Sequence, residues 1–287
     1  MRGRALLVER VTIVGLGLMG GSLGMAIRRR HLAREVVGYS RTSKTLAQAK
    51  RRGAIDRGVA DLRRAVQGAQ LVVLATPVDT IVPLAQRLAP HLPAGGVITD
   101  VGSTKGQIVR ALERSLPRAV AVVGAHPLAG SERQGIAAAR ATLFDGTACI
   151  VTATRRTNRR ALRTVTRFWN AIAHRVVIME PRRHDALLAA TSHLPHLLAF
   201  ALMGSTDDAA LALAPRSFLD ATRVAKSSPE LWDDIMLSNR AAIVESMRRF
   251  DRQWRALRTW LMRGNRPALR ALMTRAKAKR DALERHD

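Results

Sequence analysis

The sequence predicts an α/β domain followed by an all-α domain, and three observations carry that reading. Short apolar, β-branched runs alternate with helical patterns as far as residue 180, the mark of parallel βαβ units. A glycine-rich turn, Gly15-Leu16-Gly17-Leu18-Met19-Gly20, directly follows the first of those runs. From Pro181 onward the runs stop, and apolar residues recur at three- and four-residue spacing to the C-terminus. The expected division is therefore 1–180 and 181–287.

The elements follow in order. Val11–Val14 reads as the first strand, with a helix opening near Gly20 and running to about Arg30. Val36–Tyr39 is the second strand, and Leu71–Ala75 and Val97–Thr99 are later ones. Val120–Val123 and Cys149–Thr152 continue the series, and after a helical stretch Val176–Met179 closes it. No internal repeat or low-complexity segment interrupts this order.

Composition bounds the class. A chain of 287 residues can form one large domain or two modest ones, and 47% hydrophobic residues are too many for disorder. No apolar run approaches the length of a membrane span, and the densest one carries His193, Pro195 and His196. The N-terminus shows no signal-peptide cleavage site, and the single Cys149 suits a reducing compartment as inert core, so a cytoplasmic location is expected. The net charge of +26 comes from 48 basic residues, of which six are lysine. Such a charge admits a nucleic-acid surface. However, the arginines run from end to end, and aromatic residues make up only 3% of the chain, too few for stacking platforms. A solvated arginine-rich surface that attracts small anions is the preferred reading, and nucleic acid is not the expected partner.

The glycine turn has the strand-before, helix-after context that a dinucleotide requires. Gly15 permits the tight turn, Gly17 lets the backbone approach a pyrophosphate, and Gly20 lets the helix pack closely on the strand. Leu18 and Met19 lie within the glycine turn, and Thr76 and Pro77 follow a later strand; both pairs join the expected cofactor contacts. The second strand ends in Ser40-Arg41-Thr42 without the carboxylate that would hold the ribose hydroxyls of NAD. Hydroxyl donors and a guanidinium fork suit a 2′-phosphate, so NADP is favoured over NAD.

Three further stretches hold polar residues that periodicity would not bury. Asp100-Val101-Gly102-Ser103-Thr104-Lys105 and Gly124-Ala125-His126-Pro127-Leu128-Ala129-Gly130-Ser131-Glu132 both follow strands, and are read as loops facing a cofactor crevice. The third stretch is helical, with His184-Asp185, then Ser192-His193-Leu194-Pro195-His196, then Asp220-Ala221-Thr222-Arg223. A histidine at a strand end suits general-base work.

Taken in this order, these motifs resemble the prephenate/arogenate dehydrogenase family over nearly the whole chain, from about Val11 to beyond Trp232. The resemblance implies a Rossmann-like dinucleotide-binding domain followed by a helical substrate and dimerisation domain. It implies oxidative decarboxylation of prephenate, and possibly of arogenate, with NAD(P) in tyrosine biosynthesis. It makes His126 the catalytic histidine on the ring hydroxyl, with Ser103 orienting it. Arg223 then binds a substrate carboxylate, His193 and His196 line the pocket, and Glu132 and Asp220 sit around its mouth. It also implies a homodimer and needs no metal. Each residue keeps a structural alternative: Ser103 as a helix cap, His193 and His196 as core histidines, Glu132 and Asp220 as surface partners of arginines. His184 is read as capping or packing at the start of the helical domain. Rival activities are an imine or β-hydroxyacid reductase of similar architecture and, more remotely, nucleic-acid binding.

Overall fold

The computed structural model describes residues 6–131 and 133–284. The chain begins with β1 (Val8–Val14), α1 (Leu18–Arg29), β2 (Ala33–Tyr39), α2 (Ser43–Arg51) and β3 (Arg57–Val59). It continues through α3 (Leu62–Val66), β4 (Leu71–Leu74), α4 (Val78–Leu88), β5 (Val97–Asp100), α5 (Gly106–Ser115) and β6 (Ala121–Val123). These six strands form one parallel sheet in the order β3-β2-β1-β4-β5-β6. Helices cover both faces, so all four residues of β4 are buried, as a continuous apolar run in a parallel sheet should be. One core layer joins Val11, Ile13, Leu23 and Ile27. The other joins Val14, Val72, Leu74 and Ile81 to Trp232 and Ile235 from the later helices. Each fully buried aliphatic side chain contributes about 1.5–3 kcal/mol.

The register sets the functional edge. Tyr39, Val14, Leu74 and Asp100 stand side by side at the carboxyl ends of β2, β1, β4 and β5. The segments that follow those strands, Ser40–Thr42, Gly15–Gly20, Ala75–Pro77 and Val101–Lys105, therefore leave one edge of the sheet. The order reverses between β1 and β4, which is where a doubly wound sheet opens a crevice for a ligand.

The strand series divides between two sheets. β7 (Ala125–Pro127), β8 (Ala148–Thr152) and β9 (Arg175–Met179) make a separate three-stranded sheet, with α6 (Arg159–Asn170) between β8 and β9. β7 runs antiparallel to β8, and β8 parallel to β9. The chain changes sheet at Gly124, where a Cβ would lie 2.6 Å from Thr152 Oγ1 and 2.8 Å from Val109 Cγ2. His126 accordingly sits in a short strand and not in a loop. β3 also escaped the sequence reading, because its three residues Arg57-Gly58-Val59 carry no apolar pattern.

Helices take over from Pro181: α7 (Pro181–Leu188), one π-turn (Ala189–His193), α8 (Leu194–Gly204), α9 (Asp208–Leu211), α10 (Arg216–Thr222) and α11 (Pro229–Ser238). Within the continuous 24-residue stretch Pro181–Gly204, an 18-residue segment reaches a mean hydropathy of 1.5, enough by length and composition to cross a membrane. That corrects the expectation that no apolar run reaches such a length. The stretch carries His184, Asp185 and His193 buried within the protein. Residues up to Arg240 form one compact unit, because Trp232 and Ile235 of α11 enter the core of the first sheet. The second unit begins at Ala241 and consists of the rest of α12 (Arg240–Met262) and α13 (Arg266–Glu284). Its Trp254, Leu261, Met262 and Met273 are all exposed.

Candidate active site

Gly15 has φ +95°, and a Cβ on it would meet Ala75 O at 2.5 Å and Thr76 Cγ2 at 2.7 Å. A Cβ on Gly20 would come within 1.9 Å of Gly15 O. Both glycines are thus required by the turn's own closeness. Gly17 is different, since a Cβ there would meet nothing within 4 Å. Its missing side chain serves an approach from outside the protein. Gly17 is also the N-cap of α1, with no side-chain cap and no acidic residue in the first turn, so the N–H groups at Leu18 and Met19 are free to meet an anion. These residues fit a dinucleotide pyrophosphate. On the neighbouring loop, Thr42 caps α2 by accepting from Thr45 N at 3.4 Å, and Ser40 Oγ accepts from Thr42 N at 3.4 Å. Arg41 between them is exposed and makes no ion pair among the described residues. Thr76 Oγ1 accepts from Thr80 Oγ1 at 2.9 Å, and Pro77 precedes the first turn of α4.

A cleft of about 520 Å³ lies within the first unit, lined by Ser103, His126, His193, His196, Arg223 and Trp232 among others. Its floor is a chain of hydrogen bonds. His126 Nδ1 is 2.8 Å from His184 Nε2, and His184 Nδ1 is 2.8 Å from Asp185 Oδ1. The Asp185 carboxylate also accepts from Lys105 N at 2.8 Å and Gly106 N at 2.7 Å, the free N-terminus of α5. The cap of α5 is therefore Asp185, eighty residues away in sequence, and not Ser103. Ser103 shares the cleft but makes no hydrogen bond to His126 among the described residues. Beneath them, Lys105 and Asp100 form a fully buried ion pair. Asp100 in turn accepts from Gly102 N at 2.9 Å and from Ala125 N, next to His126, at 3.3 Å.

The π-turn sets the next two histidines. It ends at His193, which is buried and lies edge-on to Trp232, while His196 stacks on Trp232 with ring centroids 3.6 Å apart. Asn239 Nδ2 donates to Asp185 O at 2.8 Å, and is 3.1 Å from His193 Nδ1. Since Nδ2 can only donate, it leaves the His193 proton on Nε2. His196 Nδ1 donates to Ser192 O at 2.9 Å, which leaves its Nε2 as an acceptor while the ring is neutral. Burial holds His126 well below the ordinary imidazole range, helped by the nearby His184, Lys105 and His193. Burial likewise brings His193 down to about 4 and lowers His184 and His196. Burial alone would raise Asp185, but the donors around it, His184 foremost, hold it below the usual carboxylate value.

Two acidic positions stand elsewhere. Asp220 is exposed on α10, 3.8 Å from Arg216, and is not among the residues lining the cleft. Glu132 lies outside the described residues. Arg223 stands exposed at the cleft rim without an ion pair among the described residues. Sequence reasoning missed His184, Asp185 and Asn239 as site residues. The signal available for the first two was an ionisable pair directly before the apolar run Ala186–Ala190, which is costly to bury unless partnered.

A family model described as prephenate dehydrogenase, nucleotide-binding domain, matches residues 23–178, and one described as prephenate dehydrogenase, dimerization domain, matches 180–275. The chain is 32% identical to a prephenate dehydrogenase of Bacillus subtilis over 282 residues, covering 96% of this chain and 76% of that one. A crystal structure of prephenate dehydrogenase from A. aeolicus with hydroxyphenyl propionate and NAD+ superposes with a TM-score of 0.90 at 31% identity, covering 98% of this chain and all of that one. Synechocystis arogenate dehydrogenase gives 0.83 at 30% identity, covering 95% of this chain and 99% of that one. The two matched models and the identity to curated relatives lead to one conclusion: the chain belongs to the prephenate dehydrogenase family and is an NAD(P)-dependent oxidoreductase.

Proposed function

We propose that the chain oxidatively decarboxylates prephenate, a step toward tyrosine, with His126 as the base and Arg223 as the carboxylate clamp. The observation that carries this reading is one cleft lined both by His126, whose burial disfavours the protonated form, and by Arg223, which has no ion-pair partner among the described residues. Bound NAD(P) supplies the two-electron acceptor. The chain's own residues do the rest. His126 Nε2, which has no partner among the described residues, takes the proton of the ring hydroxyl as the carbinol C–H is lost. The bond to the ring carboxylate breaks, CO2 leaves and the ring becomes aromatic. The Arg223 guanidinium holds a substrate carboxylate, and Ser103 lines the same space. Ser40, Arg41 and Thr42 favour NADP over NAD, since the second strand ends without a carboxylate.

One observation favours arogenate as a second substrate. The His196 Nε2 acceptor suits an ammonium, whereas the His193 Nε2 donor suits a keto oxygen. Following cofactor reduction with prephenate or arogenate and with NAD or NADP, in all four combinations, tests both choices. A tenfold higher kcat/KM for arogenate would overturn the prephenate reading.

The functional division falls near residue 180, with the nucleotide held before it and the substrate completed after it, which fits the two matched family models. The exposed Trp254, Leu261, Met262 and Met273 and the matched dimerization model support a homodimer. A monomer by light scattering at micromolar concentration would refute it. The reducing compartment that a single buried cysteine suits is the cytoplasm.

A further inference from the structure

We propose that His184 and Asp185 form a proton relay behind His126, passing the positive charge gained by the base inward to His184, beside the Asp185 carboxylate. This inference rests on the reading of His126 as the base and adds two positioning residues to it.

The direction of every hydrogen bond follows from one end. The Asp185 carboxylate can only accept, so the 2.8 Å contact from His184 Nδ1 is a donated N–H. A neutral His184 then presents a lone pair at Nε2, and the 2.8 Å contact with His126 Nδ1 must be donated by His126. The remaining nitrogen of His126, Nε2, is left as the lone pair on a ring that lines the cleft. The tautomer required of a base is thereby imposed from the N-terminus of α5, through Asp185 and His184.

The same geometry allows a second transfer. As the substrate O–H bond breaks and an N–H bond forms at His126 Nε2, the His126 Nδ1–H bond breaks and an N–H bond forms at His184 Nε2. His184 Nδ1–H stays on Asp185. The imidazolium then sits beside Asp185, and His126 is neutral again. No other reactant is needed. The surroundings favour this placement. Lys105 is compensated by Asp100, and Cys149 stays a neutral thiol, pushed above the usual range by burial. His193 is held neutral and packs from the π-turn side. Among the described residues Asp185 accepts from neutral donors alone, two backbone N–H groups and His184, so its charge is available to the relay.

The test compares kcat and its pH dependence in wild type, His184→Phe, His184→Gln and Asp185→Asn, with His126→Asn in parallel. His184→Phe and Asp185→Asn should lower kcat at least tenfold and move the acidic limb to lower pH, leaving the cofactor Kd unchanged. A purely structural role would alter Tm and KM without moving that limb. Glutamine can accept the bond from His126 but not the proton. His184→Gln should therefore recover the substrate KM but not kcat, and wild-type kcat in this variant would overturn proton passage. Asp185→Asn also weakens a helix cap, so if its circular dichroism shows an unfolded chain, the two His184 variants decide. An inactive His126→Asn beside unimpaired His184 variants would overturn the relay alone. An active His126→Asn would overturn the base reading itself.

Discussion

The floor and the rim of the cleft are built on opposite principles. On the floor, His126, His184, Asp185, Lys105 and Asp100 are each held by at least one partner, and Lys105 and His184 are completely buried. On the rim, Arg223 is exposed and has no ion-pair partner among the described residues, and the nearby Leu231 is exposed as well. A group that must move a proton needs one orientation and one protonation state, which burial and a closed hydrogen-bond chain provide. A group that must recognise an anion needs a charge not already spent on a neighbour. On the proposed reading, the chemistry is built into the folded core, and recognition is completed by the ligand.

The comparison can be broken most sharply at the floor. His126→Asn should lower kcat about 10²–10⁴-fold with little change in cofactor binding. Wild-type activity should persist as pH falls through 6.5, because His126 is held neutral well below that value. At the rim, Arg223→Ala should cost about 2–5 kcal/mol, appearing mainly in KM and equally for prephenate and arogenate. A loss in kcat alone would move Arg223 from recognition to chemistry. Further out, Arg41→Ala should weaken NADP by about 1–3 kcal/mol and leave NAD unchanged, and an equal loss for both cofactors would reject the 2′-phosphate reading. The smallest effect belongs to His193. Below about pH 6.5 the unfolded chain takes a proton on this ring that the folded chain refuses until about pH 4. Stability should fall as pH drops through that window and be indifferent to His193 above it. His193→Gln should flatten the decline of Tm between those two values, and an unchanged slope would show that other groups set it.

How far the sequence reaches is clear from particular residues. Gly15 and Gly20 were legible because a turn between a strand and a helix needs them, and the structure shows the close contacts that exclude a side chain. The strand read at Leu71–Ala75 was legible because burial on both faces demands an unbroken apolar run, and the one read at Val97–Thr99 is found extended to Asp100. β3 and β7 were not, since three residues at an edge or a sheet change leave no pattern to read. Asp185 capping α5 could not be read either, because a helix end normally announces its cap within a few residues.

The sequence by itself carried the longer strands and the glycine turn and singled out His126 and Arg223 as candidates, because each depends on local backbone chemistry or on a motif contiguous in the chain. Only the tertiary structure decided that His184 and Asp185 stand behind His126, that Asp220 faces solvent and that Arg223 is left unpaired. Those outcomes depend on which side chains meet across residues far apart in the chain. Hydrogen bonding between buried polar groups is settled by the packing that brings them together, and no local pattern carries that information.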